Sequence, residues 1–147
     1  MSPGAEDNSS IVVEQEFHQP PEKVWRALTE PHLIAEWLMK NDFVPAVGHR
    51  FGLEAEWGAV SCEVRTIEPH RSLSYSWDTK DLRSIVTWTL VPTDAGTLLR
   101  MEQTGFRPEQ KSYYRGATAG WPRFLSRLGQ VVDRFGEIPS SVEGQRQ

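Results

Sequence analysis

The stretch from about Tyr113 to Phe135, YYRGATAGWPRFLSRLGQVVDRF, constrains this chain more than any other. At ~100° per residue, Ala117, Trp121, Phe124, Leu125, Leu128, Val131, Val132 and Phe135 share an arc of roughly 120°. Arg123, Arg127 and Arg134 fall on the other side. A helix with one apolar stripe and one basic, wet face must bury the stripe against something. No other segment is both this long and this periodic. Gly116, Gly120 and Pro122 weaken its first half, and Pro122 is expected to kink it or to mark an irregular start near Trp121. Gly136 suits its end.

Upstream, the period is mostly two. Ile11, Val13, Gln15 and Phe17 alternate with Glu14 and Glu16, which is a strand with one wet side. Pro21 and Pro31 each suit the first turn of a helix, where a missing N–H costs nothing. Two short helices are expected there, one burying Val24, Trp25 and Leu28, the other Leu33, Ile34, Trp37 and Leu38. Five more strands follow. Their in-phase sets are Phe51-Leu53-Ala55-Trp57, Val60-Cys62-Val64, Leu73-Tyr75-Trp77, Val86-Trp88-Leu90 and Leu99-Met101-Gln103. Gly58, the Glu68–Arg71 stretch, a polar loop over 78–82 and Pro92–Gly96 punctuate them, so the set reads as an antiparallel meander. The expectation is one domain over residues 10–136, between polar tails at 1–9 and 137–147 that have too little to bury to order themselves.

Composition narrows the function classes. A net charge of -4 argues against general nucleic-acid binding, which needs an excess of Lys and Arg. A single cysteine, Cys62, excludes an internal disulfide and fits a reducing compartment, the cytoplasm. No apolar run approaches the ~20 residues of a membrane span, and the polar, acidic start MSPGAEDNSS is not a secretory signal. Six Trp, six Phe and three Tyr leave much aromatic surface to place.

Five local motifs, in this order, resemble one family: PPEKVWRALTEPHLIAEWL, VGHRFGL, SIVTWTLVP, GTLLRMEQTGF and GWPRFLSRL. Together they cover roughly residues 10 to 135 and are similar to START-like (SRPBCC) proteins. The branch they resemble is that of the C-terminal domain of the activator of the heat-shock-protein-90 ATPase. The resemblance implies an α+β helix-grip fold: a curved six-stranded antiparallel sheet around a long C-terminal helix, with a cavity between them that the two short helices open and close. It also implies a link to stress response. His49 stands where many relatives carry a second glycine, so the bend there is expected to differ. The full activator has a large N-terminal chaperone-binding domain, for which this chain is expected to have no room.

On that fold, in-phase counting puts Phe17, Trp57, Tyr75, Trp77, Trp88 and Met101 on the inner side of the sheet, facing Trp121 and Phe124. Trp37 and Phe106 are expected at the mouth. For any one ring the alternative is plain core, but the set suits a cavity for an apolar or flat ring ligand. Gln103 and Gln15, in phase with apolar neighbours, would meet the buried indole donors or a polar end of the ligand, or else be satisfied by backbone and neighbouring side chains or lie near a strand end in water. No metal or cofactor is expected. His18, His32, His49 and His70 are scattered without ligand spacing, Cys62 reads as an inert core thiol, and GxSxG, GxGxxG and GxxxxGK[ST] are all missing. The expected function is non-catalytic binding of a small hydrophobic or aromatic molecule. Two alternatives stand beside it. One is a protein-interaction module or chaperone accessory, for which the Arg123/Arg127/Arg134 face would offer a weak protein contact. The other is a polyketide cyclase- or aromatase-like enzyme, which needs a titratable group tuned toward neutrality in the cavity.

Overall fold

Alternation and proline punctuation place the elements. In the computed structural model, backbone is described for residues 9–56 and 58–145, and side chains for 10–56 and 58–134. Trp57 and residues 1–8, most of the expected N-terminal tail, lie outside the described residues. Strand β1 is Ser9–Phe17, followed by the helices α1, Pro21–Thr29, and α2, Pro31–Trp37. Both helices carry proline in the first turn, as expected. Six strands follow: β2 Lys40–Asn41, β3 Arg50–Ala55, β4 Gly58–Glu68, β5 Ser72–Asp78, β6 Arg83–Pro92 and β7 Thr97–Phe106. Helix α3, Lys111–Gln145, completes the described chain.

The sheet is open and antiparallel, in the order β1-β7-β6-β5-β4-β3-β2. It has seven strands where the sequence suggested six. The extra one, β2, adds only the pairs Lys40↔Glu54 and Asn41↔Leu53 at an edge. Two residues cannot display an alternation, so periodicity could not reveal it. The first strand pairs with the last, with Phe17 opposite Thr97. Gly96 makes the β6–β7 turn possible at that corner. Its φ is 153°, and a Cβ there would collide with the Phe17 carbonyl. At the β3 entrance Gly48 alone makes the bend, with φ 90°. His49 beside it stacks on Phe51, ring centroids 6.4 Å apart.

The apolar stripe of α3 is where the wheel put it. Trp121, Leu125, Leu128, Val131 and Val132 are buried, while Ala117 and Phe124 are half-buried. Arg123 and Arg127 are exposed, and Arg134 forms an ion pair with Glu36 of α2. The side chain of Phe135 lies outside the described residues. Two expectations about this helix do not hold. Pro122 does not mark its start, since it begins at Lys111, and Gly136 does not end it, since it runs on to Gln145. Proline removes one donor, which would have served the Thr118 carbonyl. Pro122 and Thr118 are both exposed, so water can serve instead. Glycine lowers helix stability by about 1 kcal/mol without forbidding the conformation. Gln15 ties the helix to the sheet edge, donating from Nε2 to the Leu125 carbonyl at 3.2 Å.

Candidate functional site

The two halves of α3 present different side chains to the sheet. In the second half Trp121, Leu125, Leu128 and Val132 fill the space beneath them. In the first half that stripe continues as Ala117 and Tyr114, and Ser112, Gly116 and Gly120 lie beside it. A Cβ built on Gly116 would meet no atom within 4 Å, and one on Gly120 would just reach the Phe124 ring at 4.0 Å. The missing side chains leave a cavity of about 620 Å³ between α3 and the sheet. Tyr113, Trp121 and Phe124 wall it from the helix. Trp77, Gln103, Phe106 and Ala59 wall it from the strands. Thr79, Lys80 and Leu82 of the β5–β6 loop, with Met39 after α2, close the rest.

The walls are held by ring contacts and one chain of hydrogen bonds. Trp121 lies 5.2 Å from Trp77 and 5.5 Å from Phe124, centroid to centroid. Its Nε1–H donates to Gln103 Oε1 at 2.7 Å. Gln103 Nε2 donates to Ser84 Oγ at 2.9 Å, and Ser84 Oγ donates to the Trp77 carbonyl at 2.6 Å. Gln103 is 1% exposed, so these partners are what make its burial tolerable. As the sequence suggested, it meets a buried indole donor.

Of the eleven predicted site residues, Trp77, Gln103, Phe106, Trp121 and Phe124 line the cavity. Trp57 lies outside the described residues. Phe17, Trp37, Tyr75, Trp88 and Met101 are buried elsewhere and do not reach it. Trp37 donates to the Ala27 carbonyl at 2.8 Å and meets Trp88 edge-on at 5.6 Å. Trp88 Nε1–H donates to the Tyr75 hydroxyl at 2.9 Å. Phe17, Tyr75, Trp88 and Met101 are on the buried face of the sheet, and all five side chains pack as core away from the cavity. Sequence reasoning missed Gly116, Ala117 and Gly120 as lining, although small residues on and beside the inward stripe were a visible signal. Leu82, alone in a polar loop, was another. Nothing in the sequence pointed to Met39, Ala59 or Thr79.

A family profile described as "Activator of Hsp90 ATPase homolog 1-like protein" matches residues 18–133, most of the chain and all of the sheet except β1. The chain belongs to this family. With it comes the START-like superfamily, as the motifs implied. Protein MLL2253 from Mesorhizobium loti is similar at 57% identity and a TM-score of 0.84, over 86% of this chain and 98% of that one. Protein BH1534 from Bacillus halodurans is similar at 30% identity and 0.77, over 86% and 99%. CalU16 from Micromonospora echinospora is similar at 27% identity and 0.72, over 84% and 75%. No functionally curated protein matches the chain.

In this family member the cavity is electrostatically plain. Among its described lining residues Lys80 is the one with a formal charge, and none is Asp, Glu, His or Cys. Two buried titratable groups lie behind the walls. Burial pushes the Tyr75 hydroxyl far above its ordinary range, only partly opposed by the Trp88 hydrogen bond. Burial, reinforced by the charges of Asp78 and Asp42, pushes the Cys62 thiol up to about 12. Both stay protonated at neutral pH, so neither is a base or a nucleophile there. Among the described residues no three of His, Cys, Asp and Glu gather as metal ligands, and no helix is long and apolar enough to cross a membrane.

Proposed function

We propose that this protein binds a small hydrophobic or aromatic molecule between α3 and the sheet and does not transform it. The observation that carries the reading is the cavity itself. Its volume, about 620 Å³, falls inside the range of about 300–1,000 Å³ typical of small-molecule sites. Its walls are rings, aliphatic groups and bare helix backbone, which suit a flat apolar guest. START-like domains of this kind typically bind hydrophobic ligands, which supports the same reading. Affinity then comes from apolar surface removed from water, at about 25 cal/mol per Å². The absence of a carboxylate, imidazole or thiol among the described lining residues supports binding over turnover.

Phenylnaphthylamine, a neutral flat dye that brightens in apolar surroundings, tests this directly. The dye is expected to bind. Trp77→Ala should weaken binding at least about threefold, the loss of one ring contact, and Arg127→Ala should leave it unchanged. If neither the dye nor a broad panel of flat apolar compounds binds, the reading is wrong.

A further inference from the structure

The polar groups of the cavity are distributed unevenly, and the unevenness says what kind of ligand fits. On the β7 wall Gln103 is fully engaged, accepting from Trp121 and donating to Ser84. The β5–β6 end differs. Thr79 borders that end too, but its Oγ1 is sealed from the cavity as it is from solvent, so a bound molecule meets only the rest of that side chain. Lys80, an exposed residue, lines the same wall, and its ammonium forms no ion pair among the described residues. The indole N–H of Trp77 likewise has no acceptor among them; only its carbonyl is engaged, by Ser84.

The last two groups have one thing in common. An ammonium and an indole N–H can only donate. Two such donors at one end of an apolar cavity ask for an acceptor. The lone positive charge asks for an anionic one, because hydrogen bonds to an ionised oxygen are about twice as strong as neutral ones. The nearby carboxylates do not cancel it. Asp78 accepts from the Ser84 backbone N–H at 3.3 Å and borders a separate furrow with Arg65 and Arg83. Asp81 is exposed and is not part of the cavity wall.

Resting on the cavity-binding reading, we infer that the ligand is an apolar ring compound carrying one acidic oxygen group, a carboxylate or phenolate. The ring occupies the space left by Gly116 and Gly120. The acidic oxygen sits at the β5–β6 loop, beside Lys80 and the Trp77 N–H.

Displacement of the bound dye by naphthoate and by its methyl ester tests the inference, since the two share a ring and differ in charge. Naphthoate is expected to bind about fivefold tighter than the ester, the upper range for an ion pair near the surface. Lys80→Gln should bring the ratio close to one, and a thermal melt matching wild type checks that the variant is folded. Equal affinities in the wild type, or a preference that survives Lys80→Gln, overturn the inference and leave the cavity-binding reading intact. If dye, ester and acid all fail to bind, the cavity-binding reading falls and takes this inference with it.

Discussion

Replacing Gly116 with leucine should make the protein more stable and a poorer binder at once. Gly116 lies in the interior of α3, and a Cβ there meets nothing within 4 Å. Leucine in a helix interior is favoured over glycine by about 0.8–1 kcal/mol. No strain offsets this, because Gly116 is not among the residues with positive φ. A gain of about 1 kcal/mol raises the melting temperature by about 3 °C for a chain of this size. Binding moves the other way, because the new side chain occupies the ligand's space. Displacing about 100 Å² of apolar ligand contact, at about 25 cal/mol per Å², removes about 2.5 kcal/mol. That is roughly sixtyfold in affinity. Gly116→Ala adds only the Cβ, so it should recover most of the stability gain with little loss of binding. Thermal melts and dye titrations on the same three proteins measure both effects. A leucine variant that melts below wild type would mean that the helix and sheet are already in contact. One that binds the dye as well as wild type would mean that the dye sits elsewhere.

The remaining predictions concern the frame. Trp121→Ala and Leu128→Ala should each cost roughly 2–5 kcal/mol in urea unfolding, whereas Arg127→Ala should change stability by less than about 0.5 kcal/mol. Similar effects from all three would mean that the stripe of α3 faces the wrong way. Cys62, held up at about 12 from an ordinary value of 9.0, ionises first in the unfolded chain. Its stabilising effect is therefore complete below about pH 9 and is lost as pH rises toward 12. The difference in urea midpoint between wild type and Cys62→Ala should be flat below pH 9 and decline above it. A difference that stays flat to pH 11 would show that the thiol titrates normally.

Much of the fold was legible because its elements are periodic. The stripe of α3, the in-phase sets of β3 to β7 and the prolines opening α1 and α2 all stand in the sequence at the positions where the structure has them. The site was only half legible, for a physical reason. Alternation along a strand says which face a side chain takes, but not what lies above that point. Tyr75 and Trp77 are two residues apart on the same face of β5, yet Tyr75 meets Phe51 edge-on in the core while Trp77 stands at the cavity. What separates them is what lies over each: Phe43 meets Tyr75, whereas α3 and the β5–β6 loop leave a hollow beside Trp77. Where α3 sits depends on the length of the 107–110 connection and on contacts such as Gln15 with Leu125, and neither is periodic. Gly116 and Gly120 first read as weak points of a helix, because local propensity registers what a glycine costs and not what it leaves room for.

The same glycines separate a binder from a fold that merely resembles one. A helix meant only to cover this sheet would carry large apolar residues along its whole inward stripe, since close packing stabilises and voids do not. The second half of α3 obeys that rule, and behind it the donors are satisfied: Trp88 gives its N–H to Tyr75, Trp37 to Ala27 and Trp121 to Gln103. The first half breaks it at Ala117 and at Gly116 and Gly120 beside it, and the Trp77 N–H, without an acceptor among the described residues, borders the same space. Buried groups without partners also occur away from that space, as Gln19 Oε1 beside Asp133 does, so the hollow itself is the telling feature. Under the proposed binding, a ligand supplies both the missing volume and an acceptor for that N–H.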